Sequence, residues 1–133
     1  GLICDASESI VPRVLVIDEN TQISTLMGRS LRAYERMDVR IVDSGIEAVS
    51  LLPSFHPHVV VVDLEITDMN AGDVCTFIRK HERLRNTKIL GLTTITALGP
   101  SNHVYLDVVI KKPFLMHELV QNVLELIPDA TPC

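Results

Sequence analysis

Five short apolar runs constrain this chain more than any other feature. Val14–Ile17, Val39–Val42, Val59–Val62, Ile89–Leu92 and Leu106–Ile110 are separated by longer segments in which apolar residues return every three or four positions. Unbroken β-branched runs suit strands covered on both faces, and the 3.6-residue period suits helices with one buried stripe. Their alternation is the pattern of a parallel sheet whose strands are joined by helical crossovers. The expected fold is α/β: a doubly wound five-stranded parallel sheet with five helices.

The segments between the strands carry their own signals. Ile23, Leu26, Met27, Leu31 and Tyr34 mark a buried face on the first helix, which Gly28 weakens slightly. Asp43 or Ser44 can cap a second helix bearing Ile46, Val49, Leu51 and Leu52, which Pro53 is expected to close. A third helix should turn Val74, Phe77 and Ile78 inward and Arg79, Lys80, Glu82 and Arg83 to water. Gly99-Pro100 interrupts the stretch from Ile95 to His103, so the fourth helix is expected to be short or irregular. Leu115, Leu119, Val123 and Ile127 define the last one. The domain is read as residues 13–128, with 1–12 a linker or disordered arm and 129–133 a tail.

At 133 residues there is room for one domain, and a fold of that size buries roughly two-thirds of its unfolded surface without disulfides or a structural metal. Because 47% of residues are hydrophobic but only 4% aromatic, the core must be aliphatic. A net charge of −5, with 12 basic residues that form no long run, excludes a nucleic-acid surface on this domain. Cys4, Cys75 and Cys133 lack metal-ligand spacing and read as free thiols. No run reaches the ~18 apolar residues of a membrane span, and the start lacks the pattern of a secretory signal. A soluble cytoplasmic protein is expected, either stand-alone or, as Gly1 and the mixed tails favour, a piece of a longer chain.

In doubly wound sheets, ligands bind at the carboxyl ends of the strands, where the strand order switches direction. Asp18 and Glu19 follow the first run, Asp63 the third, Thr93 the fourth and Lys112 the fifth. With the flavodoxin-like order 2-1-3-4-5, the first and third strands are neighbours and three carboxylates meet. Two unit charges 4 Å apart repel by about 4 kcal/mol at an effective dielectric near 20, so the cluster calls for a counter-charge. Oxygen-only donors suit a hard divalent ion such as Mg²⁺, or Mn²⁺. The five histidines show no ligand spacing and read as surface residues.

Four segments then carry a family resemblance. Val14-Leu15-Val16-Ile17-Asp18-Glu19-Asn20, Val60-Val61-Val62-Asp63-Leu64-Glu65, Leu92-Thr93 and Lys112-Pro113-Phe114 resemble, in order and spacing, the signature segments of response-regulator receiver domains, over residues 13 to about 127. The resemblance implies that Asp63 is a phosphoacceptor. It implies that Asp18, Glu19, Asp63 and the backbone carbonyl of Glu65 hold the metal, that Lys112 pairs with the acceptor or its phosphoryl group, and that Thr93 closes on a phosphoryl oxygen. The implied partners are a histidine kinase or phosphotransfer protein and a second copy in a homodimer. The implied role is a phosphorelay switch that catalyses at most its own phosphorylation and dephosphorylation.

Several positions depart from the family pattern. Glu19 stands where Asp is commoner, Thr67 replaces a proline, Ala71 a glycine, and Val109 the aromatic residue that normally rotates with the threonine. Tyr105 is a poor substitute, since a four-residue offset places it before the strand. With Gly99-Pro100, these features support an alternative, a pseudo-receiver that binds proteins independently of phosphate. A remote alternative is a small aspartate-nucleophile phosphatase, because Asp63-Leu64-Glu65-Ile66-Thr67 resembles the DxDxT loop of haloacid-dehalogenase enzymes.

Overall fold

The computed structural model describes residues 11–95 and 105–128. The elements are β1 (Arg13–Ile17), α1 (Thr21–Tyr34), β2 (Asp38–Val42), α2 (Gly45–Phe55), β3 (Val59–Asp63), α3 (Ala71–Lys80), a 3-10 turn (Glu82–Leu84), β4 (Lys88–Thr93), β5 (Val108–Lys111) and α4 (Met116–Leu126). The strands form one parallel sheet in the expected order, β2-β1-β3-β4-β5. Gly99-Pro100 and the expected irregular fourth helix lie outside the described residues, as do residues 1–10 of the arm and the tail 129–133. Pro12 is buried and its carbonyl accepts from Asp38 N–H at 2.8 Å.

Side chains that alternate along each strand feed opposite faces. Leu15, Ile17, Val60, Val62 and Ile89 pack against Ala48, Leu52 and Phe55 of α2 and Val74 and Ile78 of α3. Val14, Val16, Val59, Val61, Leu90 and Leu92 meet Met27 and Leu31 of α1 and Leu119 and Val123 of α4. Every valine of Val59–Val62 is 0% exposed, as a strand covered on both faces requires. At full burial each valine contributes roughly 1.5–3 kcal/mol of hydrophobic stabilisation.

Short polar side chains start the helices. Asn20 Oδ1 accepts from the N–H groups of Gln22 and Ile23, Ser44 Oγ from Glu47, and Asn70 Oδ1 from Gly72. Of the two expected caps for α2, Ser44 takes the role.

Five local expectations are corrected. Pro53 does not close α2, which runs on to Phe55 and ends where His56 adopts a left-handed φ of 51° and donates its N–H to Leu52 O. Pro53 removes one N–H from the last turn, while its fixed φ is itself helical. The buried stripe of α1 is Ser24, Met27, Gly28 and Leu31, whereas Ile23, Leu26 and Tyr34 are exposed. Gly28 permits that rotation, since a Cβ there would lie 3.1 Å from Ile41 Cδ1. Ile46 and Leu115 are also exposed. The fifth strand begins at Val108, two residues later than expected, because Leu106 packs into the α3-side core and the Asp107 carboxylate accepts from Ile89 N–H. Finally, Arg79 is no solvated residue: it crosses to the sheet edge, donating to Thr87 O, to Tyr105 O at 3.0 Å and to Asp107 Oδ2 at 2.6 Å.

Candidate functional site

The parallel register places Ile17 opposite Val62, so the residues that follow, Asp18 and Asp63, emerge side by side at the carboxyl edge of β1 and β3. They are only 2% and 7% exposed. Asp18 N–H donates to Val42 O and its Oδ1 accepts from Asn20 N–H at 2.9 Å, which ties the loop after β1 to the strand. Burial pushes the Asp18 carboxyl above its ordinary value, and the neighbouring Asp63 adds to that, against the opposing pull of Asn20 N–H and Lys112.

Lys112 arrives from the other side of the sheet. Its backbone N–H donates to Thr93 O at 2.7 Å, and it is joined to Pro113 by a cis peptide. Its ammonium then reaches back to within 2.9 Å of Asp63 Oδ1 and 3.7 Å of Glu65 Oε1. Burial alone would lower its pKa, but Asp63, Glu65 and Asp18 outweigh burial and raise it, so the ammonium is the stable form.

The loops after β3 and β4 are joined by Glu65. Its N–H donates to Asp63 Oδ1 at 2.9 Å, and its Oε1 accepts from Thr94 N–H at 2.9 Å and Thr94 Oγ1 at 3.1 Å. Oε2 is buried and without a partner among the described residues. Burial pushes this carboxyl up, yet Thr94 N–H, the Thr93 and Thr94 hydroxyls and Lys112 hold it below the usual value. Thr93 is 1% exposed and its Oγ1 accepts from Ile95 N–H at 3.0 Å.

Of the residues expected to form the site, Asp18, Asp63, Lys112 and Glu65 converge, and Thr93 sits at the end of β4 beside them. Glu19 is placed differently: its Oε1 accepts from Thr67 N–H and its Oε2 from Thr67 Oγ1 at 2.8 Å. The two departures from the family pattern, Glu19 and Thr67, thus satisfy each other. Val109 lies on β5 and is 36% exposed, and Tyr105 packs against the α3-side core. Sequence reasoning missed Thr94 and Asp68, whose two oxygens accept from Gly45 and Ile46 N–H at 2.9 Å and anchor the start of α2. A hydroxyl beside Thr93 was a signal for Thr94, but nothing in the spacing revealed its partner.

Asp18 and Asp63 are hard oxygen donors. Each has one oxygen in the hydrogen bonds above and its other outside them, and the Lys112 ammonium stands against the carboxylates of Asp63 and Glu65 beside Asp18. That fits a small divalent ion, which takes one or two carboxylates and keeps waters. Among the described residues, no three His, Cys, Asp or Glu side chains form a metal-ligating group, in keeping with Glu19 being held by Thr67.

The model of the response regulator receiver domain family matches residues 14–124. The chain belongs to that family. The receiver domain is similar, at 27% identity over 120 residues, to the DNA-binding master transcriptional regulator RpaA of Synechocystis, covering 88% of this chain and 49% of RpaA. It therefore spans about half the length of the first curated relatives it matches. Its fold is similar to that of the chemotaxis response regulator CheY4 of Vibrio cholerae, with TM-score 0.79, 21% identity, and 88% and 99% of the two chains covered. It is equally similar, at TM-score 0.79 and 21% identity, to the receiver domain of the sensor histidine kinase PA1611 of Pseudomonas aeruginosa, with 90% and 100% covered. That structure is described with a magnesium ion coordinated in its active-site cleft. Among the described residues of this receiver, no helix is long and apolar enough to cross a membrane.

Proposed function

We propose that this receiver is a phosphorylation-dependent switch in which Asp63 accepts a phosphoryl group from a phosphohistidine on a histidine kinase or phosphotransfer protein. The observation that carries this reading is the 2.9 Å pairing of Lys112 Nζ with Asp63 Oδ1 beside the buried Asp18. Lys112 and Glu65 N–H hold Oδ1, which leaves Oδ2 as the nucleophilic oxygen. Oδ2 attacks phosphorus, the P–O bond forms, the P–N bond breaks, and the imidazole nitrogen departs with the electron pair. Phosphoryl transfer requires charge stabilisation more than covalent help. Lys112 supplies a fixed positive charge next to the moving oxygens. Asp18, with the backbone carbonyl of Glu65, would hold Mg²⁺ beside Asp63, which supplies further neutralisation of phosphoryl charge when bound.

A second reading, the pseudo-receiver, is favoured by Val109 at the aromatic position and by the engagement of Glu19 with Thr67. Incubation with acetyl phosphate and Mg²⁺ separates the two. The switch predicts an acid-labile phosphoryl adduct that is lost in Asp63→Ala, and the pseudo-receiver predicts none in the unmodified sequence. A phosphatase role is disfavoured, because Thr67, on which that likeness rested, is bound to Glu19.

A further inference from the structure

Glu65 stands two residues past the acceptor, yet its side chain serves a different loop. Oε1 gathers Thr94 N–H, Thr94 Oγ1 and, at 3.7 Å, the Lys112 ammonium. A backbone N–H, a hydroxyl and an ammonium converging on one oxygen is the donor set that would recognise an anionic phosphoryl oxygen. Thr93, immediately before Thr94, is buried and has its hydroxyl oriented by Ile95 N–H. Thr94 and the ammonium thus already face an anion in the unmodified protein.

We propose that Glu65 is a resident anion of the phosphoryl pocket: its carboxylate occupies donors that a phosphoryl group on Asp63 would recruit, and so holds Thr94 toward the site before any phosphorylation. This rests on the reading of Asp63 as phosphoacceptor. An aspartyl phosphate brings roughly −1.5 to −2 charges, by analogy with other phosphorylated side chains, and cannot share one oxygen's donors with Glu65. It must displace that carboxylate, and Thr94 exchanges one anionic partner for another. Thr94 then moves little between the two states. Glu65 is a positioning residue here, acting through Thr94 and Lys112. In this chain, where Val109 supplies no ring to report a movement of Thr93, the response to phosphorylation would then leave through a surface other than Thr93–Ile95.

Amide hydrogen exchange at Thr94 and Ile95 in the unmodified protein tests the inference directly. Loss of the carboxylate in Glu65→Ala should speed Thr94 exchange by about tenfold, the scale of one charge-assisted hydrogen bond, and Glu65→Gln, which keeps an acceptor oxygen, should recover part of the protection. Equal exchange in wild type and Glu65→Ala, with the Gln variant confirming an intact fold, would overturn it. In a second arm, beryllofluoride with Mg²⁺ stands in for the phosphoryl group. Resonances of Thr93–Ile95 should shift little in wild type and strongly in Glu65→Ala, and large equal shifts in both would also overturn the inference. Failure of acetyl phosphate to modify Asp63 would instead remove the underlying reading, and leaves the exchange result to decide the role of Glu65 by itself.

Discussion

Lys112 Nζ lies 2.9 Å from Asp63 Oδ1, although the two residues are 49 positions apart. The ammonium also lies 3.7 Å from Glu65 Oε1, beside the buried Asp18. Replacing it by Met should slow phosphorylation by acetyl phosphate about a hundredfold, the usual scale for losing a preorganised electrostatic partner. Arg should recover little, since its planar fork does not place a compact charge at Oδ1. Initial rates of adduct formation read both effects.

Asp18 and Glu19 are adjacent in sequence but not equivalent in structure. Asp18 is buried against Asp63, and Glu19 is held by Thr67. Asp18→Asn should abolish the rise in Tm that Mg²⁺ gives by binding the folded state. In metal-free buffer the same variant should be more stable than wild type by on the order of 1 kcal/mol, since it removes a buried like-charge contact. Glu19→Gln should shift Mg²⁺ affinity by less than about threefold, well short of the loss of a direct carboxylate ligand. Thermal melts across a Mg²⁺ titration give all three numbers.

These contrasts mark what the residue pattern reveals. The strands, their order and the convergence of Asp18, Asp63 and Lys112 follow from local apolar runs and from where each run stops, because parallel register carries strand-end residues to one edge. The partners of Glu19, Glu65 and Arg79 were illegible. Each is a long side chain with several reachable acceptors or donors on neighbouring loops, and only the tertiary arrangement selects among them. The α1 stripe was misread for a related reason. Ser24 and Gly28, buried because they are small enough for close approach to the sheet, carry no hydrophobic signal, whereas Ile23 and Leu26 carry one and face water.

Arg79 fixes the β5 edge of the sheet to α3 through three acceptors, on Thr87, Tyr105 and Asp107. Arg79→Met leaves two carbonyls without this donor and Asp107 with only the Ile89 N–H, and should cost about 2 kcal/mol in urea unfolding. Arg79→Lys should recover less than half, because one ammonium cannot span all three positions.

His58 should make folding sensitive to acid. Its Nδ1 accepts from Arg13 N–H at 2.9 Å, which requires the neutral ring, and burial, reinforced by Arg13 and His56, holds its pKa below 6.5. A histidine with a depressed folded-state pKa stabilises the fold fully above its ordinary value and loses that contribution as pH falls through the folded value. The urea midpoint should therefore fall between about pH 8 and about pH 5, and the part of that fall due to His58 should vanish in His58→Asn. An unchanged pH profile in the variant would contradict this role.

Borohydride reduction of the protein after treatment with acetyl phosphate and Mg²⁺, followed by peptide sequencing, asks most directly whether Asp63 is the acceptor. Reduction of an aspartyl phosphate leaves homoserine, and the arrangement of Asp18, Asp63 and Lys112 predicts it at position 63 alone. Homoserine at position 18, or at no position in a correctly folded protein, would contradict the proposed phosphoacceptor.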